Sequence, residues 1–417
     1  MMKKYYTIIF ILFLALTSCL NEDSENKTIV PNLRVLNDYE KDLANSSNNF
    51  AIDLYLQLKK SENPNLFFSP FSIQQALSMT MNGNKGEVLE EYKKLLGLEN
   101  TSLEEANNAN HKLTQFLKEV DPKVSLNIAN GIWYREGQSV KAAFQQTMQM
   151  QYLAALSTLD MKDPNSAEII NQWIEKNTNN LIKDMIDQVR PDAVMYLVNA
   201  IYFYGDWKYQ FDKNNTSKAP FHTNPNESHQ VDMMSLSDPA DINYFKSDNL
   251  TYLEIPYSTG QYSMGIILPD GHNLAAIENE FSLSQIDHWK GNLQRSAAII
   301  KMPKFKMRQK INNLRDDLEA MGLVTPFYFD DRNFTELFDT PTNSLKISRV
   351  IHDALIEVDE KGTEAAAATV VEIIELTAAP NPTPQVITLD RPFIFFIQEK
   401  HSGAILFMGK LSDPSIL

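Results

Sequence analysis

The sequence predicts one large α+β domain in which helices come early and strands late. Three observations carry that expectation. In the first third, apolar residues recur at helical spacing behind recognisable capping residues. Val194–Phe203 (VMYLVNAIYF) is almost wholly apolar, as a central strand buried on both faces requires. From Asp241 onward, short β-branched and aromatic runs separated by turn residues dominate. The chain of 417 residues exceeds the usual size of one domain, yet no Gly/Ser/Pro-rich linker divides it after residue 40, so one domain is favoured over two.

Each element has its own signal. Phe50, Leu54 and Leu58, with Ile52 and Tyr55, fall on one helical face. Ser69-Pro70 puts a capping residue and a first-turn proline before Ile73, Leu77 and Met81. Ser102 and Glu105 form a capping-box pattern ahead of Leu113, Phe116 and Leu117. Val124–Ala129 alternates like a strand, and Asn165–Ile186 reads as an amphipathic helix anchored by Ile169, Trp173 and Ile182. The later β runs are INYFK, YLEIPY, YSMGIILP, AAIIKMPKFKM, LKISRVIHDALIEV, FIFFIQE and AILFMG, interrupted by helical Leu314–Met321.

Residues 1–18 read as an export signal: Lys3-Lys4, then an apolar run from Tyr5 to Leu16, then small residues before Cys19. A run of about a dozen apolar residues is short of the ~20 that span a bilayer. The pattern resembles a bacterial lipoprotein box, which implies cleavage before Cys19 and a lipid on its thiol. Loss of Lys3 and Lys4 takes the formal charge from −15 to −17. Residues 19–37 are polar enough to serve as a flexible tether, leaving 38–417 as the folded domain.

The acidic balance, with no basic cluster to offset it, argues against a nucleic-acid partner. Cys19 is the only cysteine, so the body has no disulfide, Cys₄ metal site or catalytic cysteine. The seven histidines show no HExxH spacing, and GxSxG, Walker and GxGxxG patterns are absent. No catalytic residue, metal or cofactor is expected.

The remaining feature is Glu360–Leu376 (EKGTEAAAATVVEIIEL), followed by the proline-broken TAAPNPTPQ. Its alanines suit a helix, while its Thr-Val-Val and Ile-Ile pairs favour an extended chain. As a strand it places Thr363, Ala365, Ala367, Thr369, Val371 and Ile373 on one small, uncharged face. The hinge EKGTEAAAAT, with RVIHDALIEVDEKG before it and RPFIFFIQEKHSGAILFMGKLSDP after it, resembles the reactive-loop hinge and C-terminal strands of a serpin. FFSPFSIQQALSM, INQWIEKNTNNLIKDMI, LVNAIYFYGDW, YLEIPYSTGQYSMGIILPD and MPKFKM extend the resemblance back to about Asp38.

The resemblance implies three β-sheets, about nine helices and an exposed reactive loop over about residues 360–385. The loop would follow a central sheet built from strands near Val124–Tyr134, Val194–Tyr204 and Leu345–Asp359. Its hinge would be Glu360, Gly362, Thr363, Ala365, Ala366, Ala367 and Ala368, with Thr363 near the surface before cleavage and the first side chain to enter the sheet. Ser69, Ser72, Asn199 and His352 match the family's shutter, a polar cluster beneath strands that part. Trp207, Lys304 and Glu360 match its breach, with Lys304 and Glu360 paired at the root of the loop. Loop length puts the scissile bond at Leu376-Thr377, which suits a chymotrypsin-like or other large-apolar-pocket protease. A cut after Ile374, Thr377 or Ala378 would suit an elastase-like enzyme. The implied activity is covalent entrapment of a serine protease by a monomer held at the bacterial cell envelope, outer membrane, periplasmic or surface-exposed, through Cys19. A non-inhibitory carrier, or an inhibitor of papain-like cysteine proteases, are the alternatives.

Overall fold

The computed structural model describes residues 29–61, 63–339, 344–363 and 384–416. Helix α1 (Asp38–Leu58) starts where Asn37 and Glu40 cap each other reciprocally. After β1 (Leu66–Phe68), α2 (Pro70–Met81) begins at Ser69, whose side chain accepts the Ser72 N–H at 3.1 Å. Helix α3 (Gly86–Leu95) precedes α4 (Leu103–Glu119), which has the expected Ser102/Glu105 box. Next come β2 (Ser125–Arg135), α5 (Ala142–Gln151), β3 (Ala155–Leu159), α6 (Ser166–Asn177) and β4 (Met195–Asp206). Five strands follow: β5 (Ser217–Asn224), β6 (Glu227–Ser235), β7 (Ala240–Lys246), β8 (Leu250–Pro256) and β9 (Tyr262–Pro269). Helices α7 (Leu274–Asn279) and α8 (Leu283–Gly291) separate them from β10 (Gln294–Pro303), β11 (Phe305–Ile311) and α9 (Arg315–Ala320). The chain closes with β12 (His352–Val358), β13 (Gly362–Thr363), β14 (Gln385–Thr388), β15 (Phe393–Glu399) and β16 (Ile405–Leu411).

The strands form two hydrogen-bonded networks. One is the six-stranded central sheet, in the order β11-β12-β13-β4-β2-β3. The other runs β1-β16-β15-β9-β8-β7-β10-β6-β5, with β14 also on β10. Strand β10 joins two parts of it: residues 294–298 pair with β7, and the stretch from Ala298 on pairs with β14 and β6. One large core packs α1, α2 and α4 against both networks.

Four local expectations change. Helix α6 ends at Asn177, because Asn179, Asn180 and Asp184 take left-handed backbone angles (φ 51°, 62° and 56°) and turn the chain back. Asn171 fastens that return, its amide donating to Ile186 O and accepting from Ile186 N–H, both at 2.8 Å. Its buried face is Ala167, Ile170 and Ile174, while Ile169 is 49% exposed and Ile182 lies past the helix end. The tether is docked before Asn37: Asn32 N–H donates to Val120 O at 2.7 Å, and Arg34 pairs with Glu40 and donates to Lys112 O. Of the strand expected over Leu345–Asp359, only His352–Val358 pairs as one. In β4, Val198–Ile201 are buried, but Met195–Leu197 are only half-buried, because they line a cleft.

Candidate functional site: a slot in the central sheet

The central sheet is interrupted. Strand β13 is antiparallel to both its neighbours, with Thr363 opposite Val358 of β12 and Gly205 of β4, and Gly362 opposite Asp206. Strands β4 and β12 therefore run parallel to each other and make no pairing of their own. Below Thr363 their facing backbones pair with no described strand. The first residues of the predicted hinge thus sit at the head of a slot between two strands.

A tight turn directs them there. The Asp359 carboxylate accepts the N–H groups of Lys361 (2.9 Å) and Gly362 (3.2 Å), and Asp359 N–H donates to Gly362 O at 3.0 Å. Gly362 passes so close to β4 that a Cβ would lie 2.1 Å from Gly205 O and 2.7 Å from Asp206 Cα, so no larger residue fits. Thr363 is 4% exposed and shares a 2.7 Å hydrogen bond with the Tyr257 hydroxyl, which corrects the expectation that it lies near the surface. Tyr257 stacks on Trp207 (centroids 4.4 Å apart, planes at 14°). Trp207 in turn donates through Nε1 to Asp359 O at 2.9 Å and through its backbone N–H to Lys361 O at 2.7 Å.

Glu360 is tied to the root by three contacts. Its carboxylate accepts from Lys304 Nζ at 2.9 Å and from Thr216 Oγ1 at 2.8 Å, and its carbonyl accepts from Phe211 N–H at 2.9 Å. Burial alone would push this carboxyl up, but the bonds from Lys304, its own backbone and Thr216 outweigh it and hold the group below the usual range. The same bond raises Lys304. All three predicted breach residues therefore meet around residues 359–361.

The predicted shutter residues divide between the walls of the slot. On the β12 side, Ser69 N–H donates to His352 Nε2 at 2.9 Å, and Ser69 Oγ donates to Leu406 O at 2.7 Å. His352 is therefore neutral with Nε2 bare, and burial pushes its pKa down to about 4. Among the described residues, Ser72 joins this group only through its backbone bond to Ser69. Asn199 stands on the opposite wall, where its amide donates to Asn130 Oδ1 at 2.8 Å, and Asn130 donates to Tyr152 O at 2.7 Å. The Asn199 Oδ1 is buried without a hydrogen-bond partner among the described residues.

Cys19, Ala365, Ala366, Ala367, Ala368, Leu376 and Thr377 lie outside the described residues. Sequence reasoning missed Tyr257, Thr216, Asp359 and Asn130, whose roles depend on tertiary pairing. Among the described residues no helix is long and apolar enough to cross a membrane, and no group of acidic, histidine or cysteine side chains could hold a metal.

The model of the family described as serpin (serine protease inhibitor) matches residues 45–414. The chain belongs to the serpin family. An uncharacterized serpin-like protein of Methanosarcina acetivorans is 33% identical over 428 residues, covering 99% of this chain and 98% of the relative. The leukocyte elastase inhibitor of Xenopus laevis is 31% identical over 90% of this chain and 100% of its own. The structure of cleaved Serpin 42Da superposes with a TM-score of 0.79 at 29% identity, covering 90% and 99% of the two chains. Serpins are protease inhibitors that generally bind their target proteases, and this serpin has the family's mixed fold, with nine α-helices among its described residues.

Proposed function

We propose that this serpin inhibits chymotrypsin-like or elastase-like serine proteases as a suicide substrate. The target's serine attacks the Leu376 carbonyl, the Thr377 amine leaves, and Leu376 stays on the enzyme as an ester. The freed arm then continues β13 down the slot and carries the enzyme along before water can hydrolyse that ester.

One observation supports the reading above the others: Gly362 and Thr363 already lie between β12 and β4, aimed along two strand edges that pair with no described strand beneath them. Completing the ladder satisfies those backbone groups and covers the apolar residues behind them, so the uncleaved fold is held by a barrier and not by depth. The small face of Thr363, Ala365, Ala367 and Thr369 suits that passage. A relative named as a leukocyte elastase inhibitor agrees with the target class. The reading includes a monomer displayed at a bacterial cell envelope through lipidated Cys19.

Incubation with chymotrypsin-like, elastase-like, trypsin-like and papain-like proteases, followed by denaturing electrophoresis, tests it. A denaturant-stable band at the summed mass is expected with the first or second enzyme. A band only with the papain-like enzyme would reassign the target. Cleavage everywhere without a band would leave a carrier protein.

A further inference from the structure

The lower slot opens into a cavity of about 230 Å³ that the insertion mechanism does not explain residue by residue. Ile73 and Ala76 of α2 form its floor, Met195 and Leu197 one wall, and Ile347 and Val350 the other. Leu197, Ile347 and Val350 are apolar yet only half-buried, which is costly for a core and normal for a binding cleft. The rim is cationic. Lys346 and Arg349 border the cavity, and neither makes an ion pair with a described carboxylate. Among the described residues, the buried Arg349 Nε has no hydrogen-bond partner, and its Nη2 reaches only Gln188 O at 3.4 Å. Lys346 Nζ sits 4.5 Å above the ring of exposed Phe329. The nearby acids have closer partners: Asp192 accepts from Arg190 Nε and Nη2, at 3.0 and 2.8 Å, and Asp187 pairs with Lys310 at 2.8 Å, with the Arg349 charge acting on it from beyond ion-pair distance.

We propose that this cavity binds a free medium-chain alkyl carboxylate, the chain lying between α2 and the sheet and the carboxylate on Arg349 and Lys346. The apolar walls favour the chain in proportion to the area it buries. The unengaged guanidinium edge and the ammonium select an anionic head over a neutral one. Because the ligand lies between β4 and the segment that leads into β12, on the path of the loop arm, binding opposes insertion of that arm, a consequence that rests on the proposed function.

Titration calorimetry with sodium decanoate, below its micelle-forming concentration, tests the site directly. Saturable one-to-one binding is expected, at least tenfold weaker for decanol and undetectable for acetate. The double variant Lys346→Gln/Arg349→Gln should bind at least tenfold more weakly, and Ala76→Phe, which fills the floor, should abolish binding while near-ultraviolet circular dichroism stays unchanged. Absence of saturable binding, or equal binding by both variants, overturns the site. Decanoate should also raise the number of inhibitor molecules consumed per protease inactivated. An unchanged number in a working trap overturns the competition alone. Intact, Arg349-dependent binding in a protein that traps no protease supports the site and rejects the proposed function.

Discussion

The hydroxyls of Tyr257 and Thr363 share a 2.7 Å hydrogen bond beside the Trp207 indole, so Thr363 of the predicted hinge is bonded into the body. Thr363 is buried, and a charge there threatens the fold as well as the later insertion. Thr363→Arg leaves a guanidinium without a buried partner and should cost about 3 kcal/mol or more, visible as a lower unfolding temperature of the uncleaved protein. Under the proposed mechanism it should also leave the protein a substrate that releases active protease. Thr363→Val keeps the shape but strands the tyrosine hydroxyl, and should cost about 1 kcal/mol. Equal melting of Thr363→Arg and wild type would mean that the hinge is not seated.

The Glu360 contacts predict an acid-sensitive root. A carboxyl held below its unfolded value contributes stability above that value and loses it as pH falls through the folded one, so the contribution should fade below about pH 4.5. Glu360→Gln should remove this acid limb and cost roughly 1 kcal/mol at neutral pH, since Lys304 is partly solvated. Melting curves from pH 7 to 3 for both proteins would show it. Parallel curves would dismiss the pair as a lock.

Much of this was legible because it is local. Ser69-Pro70 and Ser102/Glu105 write helix starts into neighbouring residues, and the small face from Thr363 to Thr369 needs only strand alternation to be seen. The walls of the slot were not legible in the same way. Asn199 meets Asn130 only through the β2–β4 register, which places those two residues directly opposite each other. The helix read through to Ile186 stops at Asn177 because Asn179 and Asn180 tolerate left-handed angles and Asn171 ties the returning chain, a tertiary bond that overrides the apolar stripe. Leu345–Val350 read as strand by composition, yet those residues border the slot with too few partners to form one.

His352 predicts a second pH effect, at higher pH. Its ring stays neutral in the fold down to about pH 4, against an ordinary value near 6.5, so the unfolded chain takes up the proton first as pH falls. The sign is loss of stability on acidification from about pH 6.5 toward 4, amounting to about 2 kcal/mol between pH 7 and 5. His352→Gln retains an acceptor for Ser69 N–H and should flatten that slope. An unaltered slope would place the titrating group elsewhere.

The proposed bacterial lipidation of Cys19 predicts membrane retention. Native protein should partition into detergent, and Cys19→Ala should release it or stall its processing, because anchoring needs more acyl surface than one chain provides and the bacterial modification adds more than one. Equal partitioning of both forms into buffer would remove the anchor from the proposal.

The register at the head of the slot makes the last prediction. Thr363 faces Val358 and Gly205, and each further residue of an inserting arm steps one residue back along both walls. Thr369 therefore arrives between His352 and Asn199, on the face toward the core that Thr363 shares with Tyr257. Its hydroxyl would meet the Asn199 Oδ1 that lacks a partner among the described residues, and a buried acceptor left unmade costs about 1–3 kcal/mol. Thr369→Val has the same shape without the hydroxyl, and it removes the bond that the inserted arm would make to Asn199. The uncleaved variant should melt with wild type, while the loop-cleaved variant should unfold at lower denaturant by about 1 kcal/mol or more. Val371→Thr, one inward position further on, should not restore it. If Thr369→Val instead destabilises the uncleaved protein and leaves the cleaved one untouched, the arm does not follow β13 into the sheet in this register.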